Sequence, residues 1–496
     1  MKNEILLNQF HLTQNMDDPM ADGCRASRFI RCTPQRQLGL IMPSTGPAGW
    51  TDGVTPFTTN IASAFLPWKI SHGYYFLLND TVYKGDQDFQ TSTLLHTRAP
   101  AAGAKDVYNV ISFGAYIYYA MEKRLGRLDP ATNTFNDNFA TFTNGVSSIY
   151  HPMRIVNDTL YIGDDDLVAQ VDSTGTFTAN ALDIEPGFSV TALYEWNNQL
   201  LIAAASEQVN PPFDGRKNSY SKVYRWNTWS VSWDTATLVP EDIVHGFIVS
   251  SGGLYMLTQS DKVKFYRYNE PYADMVMEMP IGDMDVSNNR YAKIFPMSFH
   301  DYQGTTYFGV GNEVASTTSY ESGIYTFRAK KAGYPPTVQL EHQYRGYGVN
   351  NWVDYYCIQS LEGIGLFWSY HQTDNPNEDF AGTDYVVLGG NSIPAVSSYI
   401  VDTGYITVDR ANRKQFRIAV DMGYWTSGTT CGVYALLDGP SGAGQSITML
   451  RDEERRMFVS DLITDECSFI KLQVTIADSS VGTMNDCIQS IRLIFS

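Results

Sequence analysis

Cysteine is scarce in this chain of 496 residues: there are six, Cys24, Cys32, Cys357, Cys431, Cys467 and Cys487. So few and so scattered, they exclude a disulfide scaffold, and free buried thiols are expected. Cys24 and Cys32 have no paired His or Cys following at zinc-ligand distance. Apolar runs approaching about 18 uncharged residues are also missing, so no membrane-spanning helix is expected. The opening MKNEILLNQFHL carries one Lys, an acidic Glu4 and an apolar run too short for a secretory leader, so it reads as mature sequence. The chain accordingly reads as soluble, or as part of a soluble assembly. Basic residues are outnumbered, with 35 Lys plus Arg against 53 Asp plus Glu and a net charge of −18. That balance repels phosphate backbones at long range and argues against sequence-specific DNA binding; otherwise it serves solubility.

Motifs that carry chemistry are missing as well. The eight histidines (His11, His72, His96, His151, His245, His300, His342, His371) are spread singly, with no H-x-x-x-H pair, and no G-x-S-x-G elbow occurs. They are expected at the surface or in packing roles. The segment GPSGAGQS, Gly439 to Ser446, has phosphate-loop spacing, but Gln445 stands where a Lys must neutralise phosphate charge. It also joins two predicted strands and lacks a helix N-terminus, so it reads as a hairpin loop. The run Gly163-Asp164-Asp165-Asp166, near Asp158, offers clustered oxygens but fits no EF-hand and falls at a predicted hairpin turn, where Asp is ordinary. Propeller enzymes acting on glycans need converging carboxylates. Here no S-x-D-x-G-x-x-W repeat is present, and no acid recurs at an inward position of the repeat described next. No catalytic, cofactor-binding or metal-ligating residue is assigned, no cofactor is expected, and the chain reads as a non-enzyme.

Aromatics are plentiful, at 13% with 32 Tyr and 25 Phe, a bias towards pleated, half-buried surfaces and an all-β fold. They recur in a unit made of a Gly or Asn/Asp turn, a short aromatic strand, and a second strand about eight residues later. The turn and first strand read HGYYFLL, GAYIYYA, NDTLYIG, NNQLLIA, GGLYMLT, QGTTYFG and GIGLFWS. Their central residues Tyr75, Tyr118, Tyr161, Leu201, Tyr255, Tyr307 and Phe367 are 43, 43, 40, 54, 52 and 60 residues apart. Propeller blades of four strands run about 40 to 50 residues. The second strands read TVYKGD, RLGRLD, LVAQVD, KVYRWN, KVKFYRYN and GIYTFR, and that of the seventh unit, DYVVLGG near Tyr385, is expected after a long polar loop. Polar insertions before Val223 and Ile324 are expected as projecting loops.

Beyond residue 400 longer alternating strands replace the repeat. Phe416, Ile418, Val420 and Met422 share one side, as do Ile470, Leu472, Val474 and Ile476, and then Ile491, Leu493 and Phe495. The fold expected is all-β: a six- or seven-bladed β-propeller over 56–398, then a jelly-roll-like β-sandwich over 399–496, with 1–55 as an N-terminal docking or platform segment. Basic residues cluster at Arg25, Arg28, Arg31 and Arg36, at Lys330 and Lys331, and at Arg410, Arg413, Lys414 and Arg417. Such clusters form a solvated face or dock an acidic neighbour, which could be another copy of this chain.

Three stretches carry a family resemblance: NQFHLTQNMDDPMADGCRASRFIRC from Asn8, VYRWNTWSVSWDTATLVPEDIVHGF from Val223, and SSYIVDTGYITVDRANRKQFRIAVDM from Ser397. With the layout as a whole, they resemble the tail nozzle, or tail tubular, proteins of short-tailed bacteriophages. The resemblance implies a virion protein of the tail: a homo-oligomeric ring of six subunits extending a portal or adaptor, contacting tail fibres and passing DNA without sequence-specific binding or an enzymatic step. An acidic lumen would give a sliding phosphate backbone few sticking points. The alternative is a receptor- or glycan-binding virion protein using Trp229, Trp233 and Tyr220, expected in one long insertion, to stack on sugars. A propeller glycosidase stands third.

Overall fold

The computed structural model describes residues 109–121, 123–144, 150–206, 219–260, 262–279, 292–302, 304–314, 415–437, 444–464 and 468–478, and outside these the strands named below. The chain is all-β, and its first large part is a succession of four-stranded antiparallel meanders. Meander I comprises Ala62–Pro67, Tyr74–Leu78, Thr81–Gly85 and Ser92–Thr97. Meander II comprises Asn109–Phe113, Tyr116–Ala120, Arg124–Asp129 and Thr134–Thr141. Meander III comprises Met153–Val156, Thr159–Asp164, Leu167–Val171 and Phe177–Asp183. Meander IV comprises Ser189–Trp196, Gln199–Ala205, Ser221–Trp226 and Thr235–Val239. Meander V comprises Ile243–Ser250, Gly253–Gln259, Val263–Asn269 and Tyr272–Glu278.

The same pattern continues inside a larger sheet. Meander VI runs through Phe299–Tyr302, Thr305–Val314, Gly323–Arg328 and Thr337–Gln343. Meander VII runs through Asn351–Leu361, Gly365–Asn375 and Glu378–Val386, and takes its fourth strand, Ala48–Gly49, from the beginning of the chain. The polar stretch expected as a long loop in this seventh unit is instead a hairpin, with Thr373 opposite Asp379. Its backbone is paired, which satisfies the N–H and C=O groups that a loop would leave to water.

The repeat seen in the sequence is displaced by one strand from these units. Every marker, from Tyr75 to Phe367, lies in the second strand of its meander, and the turn before it joins strands one and two. Val156 pairs with Thr159 and Trp196 with Gln199 across two-residue loops. In these loops Asn157, Asp158, Asn197 and Asn198 have φ of 49°, 57°, 54° and 60°. Two consecutive left-handed residues define the type I′ turn, whose twist matches that of the strands, and Asn and Asp tolerate it best after Gly.

Stacking of meanders explains why the second strands are so apolar. In Gln199–Ala205, Leu200, Ile202 and Ala204 pack with Val156, Tyr161 and Val168 of meander III. The alternate residues Leu201 and Ala203 pack with Val244, Phe247 and Met256 of meander V. A strand covered on both faces needs apolar residues at both phases of its period-two pattern. Tyr118, Ala120 and Leu125 of meander II likewise meet Leu160, Ile162 and Ala169 of meander III. First strands lie side by side: I next to II, II next to III, III next to IV, IV next to V, VI next to VII, and VII next to I.

The C-terminal strands form two sheets interleaved with N-terminal ones. In one, Phe416–Tyr424 lies between Cys487–Phe495 and Met457–Ser460, and Glu4–Leu7 pairs with Cys487–Phe495. In the other, Phe469–Asp478 lies between Thr429–Leu437 and Ser398–Thr403. Arg25–Ile30 then joins Ser398–Thr403 to the last strand of meander VI, which makes one continuous 16-stranded sheet. All eleven residues named from the alternating C-terminal pattern are buried, and they share one hydrophobic cluster with Phe265, Phe308 and Phe327 of meanders V and VI.

Candidate functional site

A cavity of about 410 Å³ opens where the first strands of meanders II to VI converge. Arg154 comes from Met153–Val156, Tyr194 from Ser189–Trp196, His245 and Phe247 from Ile243–Ser250, and Phe299, His300 and Asp301 from Phe299–Tyr302. Arg154 is the one cation and Asp301 the one carboxylate among the described lining residues.

The Arg154 guanidinium lies over the Tyr194 ring at 4.6 Å from its centroid, and Phe247 backs the same ring at 5.6 Å. Enclosure by the cavity walls raises the pKa of Asp301 although its carboxylate still meets solvent; a hydrogen bond from Thr306 Oγ1 and the charge of Arg154 oppose the rise. Burial takes His245 and His300 the other way, each down to about 4, so both rings are neutral at pH 7. His245 Nε2 lies 2.9 Å from Gln259 Oε1, and Gln259 Nε2 donates to the Ala292 carbonyl at 2.6 Å, which sets the ring as the donor. His300 Nε2 lies 2.7 Å from Ser360 Oγ, on the first strand of meander VII.

The Gly163-Asp164-Asp165-Asp166 run accepts hydrogen bonds from protein donors, while Asp164 Oδ1 is buried without one among the described residues. Asn144 N donates to Asp164 Oδ2 at 2.9 Å and Asn144 Nδ2 to Asp166 Oδ1 at 2.6 Å, and Ser189 Oγ bonds Asp165. Asp164 is buried, which raises its pKa. The run thus ties the end of meander II to meanders III and IV. Among the described residues no group of three or more His, Cys, Asp or Glu is arranged to hold a metal ion. Of the phosphate-loop-like segment, Gly444 to Ser446 lie in a strand, Gly444–Ile447, paired with Thr429–Leu437, and Gly439 to Ala443 fall outside the described residues.

The three aromatics expected in one insertion separate. Tyr220 precedes Ser221–Trp226 and packs edge-on against Phe188 at 5.6 Å, and Trp233 packs against Tyr224 at 5.2 Å as part of the core between meanders III and IV. Trp229 is 84% exposed. Its loop is held by Asn227 Oδ1, which accepts from Trp229 N at 2.8 Å and Ser230 N at 2.9 Å, and by the Trp226 indole, which donates to Ser230 O at 2.8 Å. Of the basic clusters, Arg417 is exposed, Arg25 and Arg28 lie on Arg25–Ile30, and Arg31, Arg36, Lys330, Lys331, Arg410, Arg413 and Lys414 fall outside the described residues.

Sequence reasoning did not find the cavity. Arg154, His245 and the His300-Asp301 pair stand far apart in the chain with no motif spacing, and only the convergence of first strands brings them together. Among the described lining residues Asp301 is the one acid, so no repeated position marks it.

No protein-family model matches the chain, and no curated protein matches it. Among solved structures it is similar to the N-terminal domain of Nup159 at 12% identity and a TM-score of 0.39, over 69% of this chain and 95% of that one. It is similar to the computationally designed Ika8 protein at 12% identity and 0.38, over 66% and 98%. A third likeness is to an exo-β-1,3-galactanase from Phanerochaete chrysosporium, at 12% identity and 0.27, over 71% and 97%. At these values none carries an argument about activity.

Proposed function

We propose that this chain is a structural virion protein of a bacteriophage tail, a subunit of the nozzle or hub ring around the DNA-ejection channel. In this reading meanders I to VII are the blades of a seven-bladed propeller, with the neighbouring first strands of VII and I as its seam, and the two C-terminal sheets form a jelly-roll-like sandwich. The observation that carries the reading is the continuous sheet from meanders VI and VII through Arg25–Ile30 into the C-terminal strands. A joint made of backbone hydrogen bonds and a shared core transmits force as one body, as a part under ejection load requires, whereas a linker would leave the two parts free to move. The net charge of −18 suits a surface past which DNA slides. The three family-like stretches add the ring, the portal or adaptor and fibre partners, and residence in the virion after synthesis in the host cytoplasm. The single carboxylate among the described lining residues fits this reading better than glycoside hydrolysis, which uses two.

The deciding measurement is the copy number of the chain per purified virus particle, by quantitative peptide mass spectrometry against the major capsid protein. A small ring-like number supports a nozzle. Hundreds of copies would make it a decoration protein, and absence from particles would sink the virion reading. One observation favours a second reading, receptor or glycan binding: the exposed Trp229 on its pinned loop. Rigid, exposed aromatics are common anchors for sugars and partner surfaces. Loss of adsorption in a Trp229→Ala virion, with tails still assembled, would establish it.

A further inference from the structure

The cavity at the convergence of first strands has no part in that structural role, and its chemistry points to a ligand. At about 410 Å³ it falls within the usual span of small-molecule sites, about 300 to 1,000 Å³. Its charges cancel, since Arg154 and Asp301 are the only charged described residues on its wall, and each lies within electrostatic reach of the other. The histidines add no charge at pH 7, because burial keeps both rings neutral. An ionic ligand would therefore meet as much repulsion as attraction there, and the acidity of the whole chain further disfavours anions.

What the wall does offer is paired hydrogen bonding. The Arg154 guanidinium, 4.6 Å over the Tyr194 ring, is a fork of five N–H donors that can serve a ligand in the cavity. Asp301 accepts from Thr306 at Oδ1 and retains Oδ2 for a further donor. A hydroxyl both donates and accepts, so neighbouring hydroxyls on one ring can satisfy the carboxylate and the guanidinium together. Met153, Phe247 and Phe299 supply an apolar wall for the C–H faces of such a ring.

We infer that this cavity binds a neutral saccharide unit of about one hexose ring, held by Arg154 and Asp301. A zwitterionic amino acid is also neutral overall, but its ammonium group carries three donors and the described wall presents a single carboxylate. The inference does not rest on the tail assignment, and the outcome of particle counting leaves it untouched.

The test is saturation-transfer NMR and calorimetry on the full chain with glucose, galactose and N-acetylglucosamine, with sialic acid and alanine as charged and zwitterionic comparisons. At least one neutral sugar is expected to bind with a Kd of about 10 mM or tighter. Arg154→Met and Asp301→Asn should each weaken it about tenfold or more while leaving the circular dichroism unchanged. Trp229→Ala should not alter it, which separates the cavity from the exposed loop. Two variants guard against one failing to fold. The inference is overturned if no neutral sugar binds at about 50 mM, if binding survives both substitutions, or if sialic acid or alanine binds more tightly than every neutral sugar.

Discussion

Gly126 faces Tyr119 across the second and third strands of meander II, and a Cβ on Gly126 would sit 2.0 Å from the Tyr119 ring. The ring cannot swing aside, because Tyr119 OH donates to Asp137 Oδ1 at 2.5 Å and Asp137 Oδ2 in turn lies 2.9 Å from His96 Nε2. Gly126→Ala should therefore cost about 1 to 3 kcal/mol as an overpacking strain, read as a lower urea midpoint at unchanged m-value. Titration makes a second prediction at this scale. His245 and His300 hold their pKa near 4 when folded, against 6.5 in the open chain, so the unfolded state binds the extra protons. Their contribution is fully present above pH 6.5 and is lost as pH falls towards 4, by roughly 3 kcal/mol at most for each. Asp164 and Asp301, whose carboxyls are raised, work in the opposite sense and blunt the acid end of that loss. Melting curves between pH 7.5 and 4.5 should show the decline, and His245→Gln should flatten it. The sequence made the aromatic markers legible because each follows a turn dipeptide. It could not show these titrating groups, whose burial depends on side chains contributed by other meanders.

Turns decide how the elements were read. Asn-Asp and Asn-Asn mark loops whose two residues are both left-handed, so the strand that follows is visible in the sequence. First strands carry no such mark on their leading side, and a repeat anchored on turns counts from the second strand. That is why the unit matches the meanders in period yet is offset by one strand, and why the cavity-lining strands are not marked in the sequence. The same physics gives a test. Asn198 has φ of 60°, so Asn198→Gly should stabilise meander IV by a few tenths of a kcal/mol, and Asn198→Ala should destabilise it by about 1 kcal/mol. Thermal unfolding of the two variants checks the sign. Equal melting temperatures would mean that packing against meanders III and V, rather than turn geometry, sets the register. The C-terminal strands are easier to read, because their apolar residues alternate: Ile470, Leu472, Val474 and Ile476 are each 0% exposed, while Lys471, Gln473 and Thr475 between them are half-buried.

For the molecule as a whole, the pairings that matter most join residues hundreds of positions apart, and periodicity cannot report them. Leu7 pairs with Ile491, Ala48 with Tyr385, and Phe29 with Val401. The segment 1–55 therefore supplies strands to the C-terminal sheets and to meander VII. Arg25–Ile30 lies between Thr337–Gln343 and Ser398–Thr403, so without it each neighbour loses its partner on one side and the long sheet is cut to leave two open edges. Unpaired edges recruit other chains, and an opened core exposes apolar surface. Deleting residues 1–35 should accordingly yield a chain that aggregates, binds a hydrophobic dye and melts well below the full-length protein. A synthetic peptide spanning 1–35, added during refolding, should restore the sedimentation behaviour of the full-length protein by rebuilding the missing strands. Sedimentation velocity distinguishes the cases. A truncated chain that stays monodisperse and unfolds at the original temperature would show that the two parts are stable without their shared strand, and the mechanical argument for a force-transmitting tail subunit would lose its foundation.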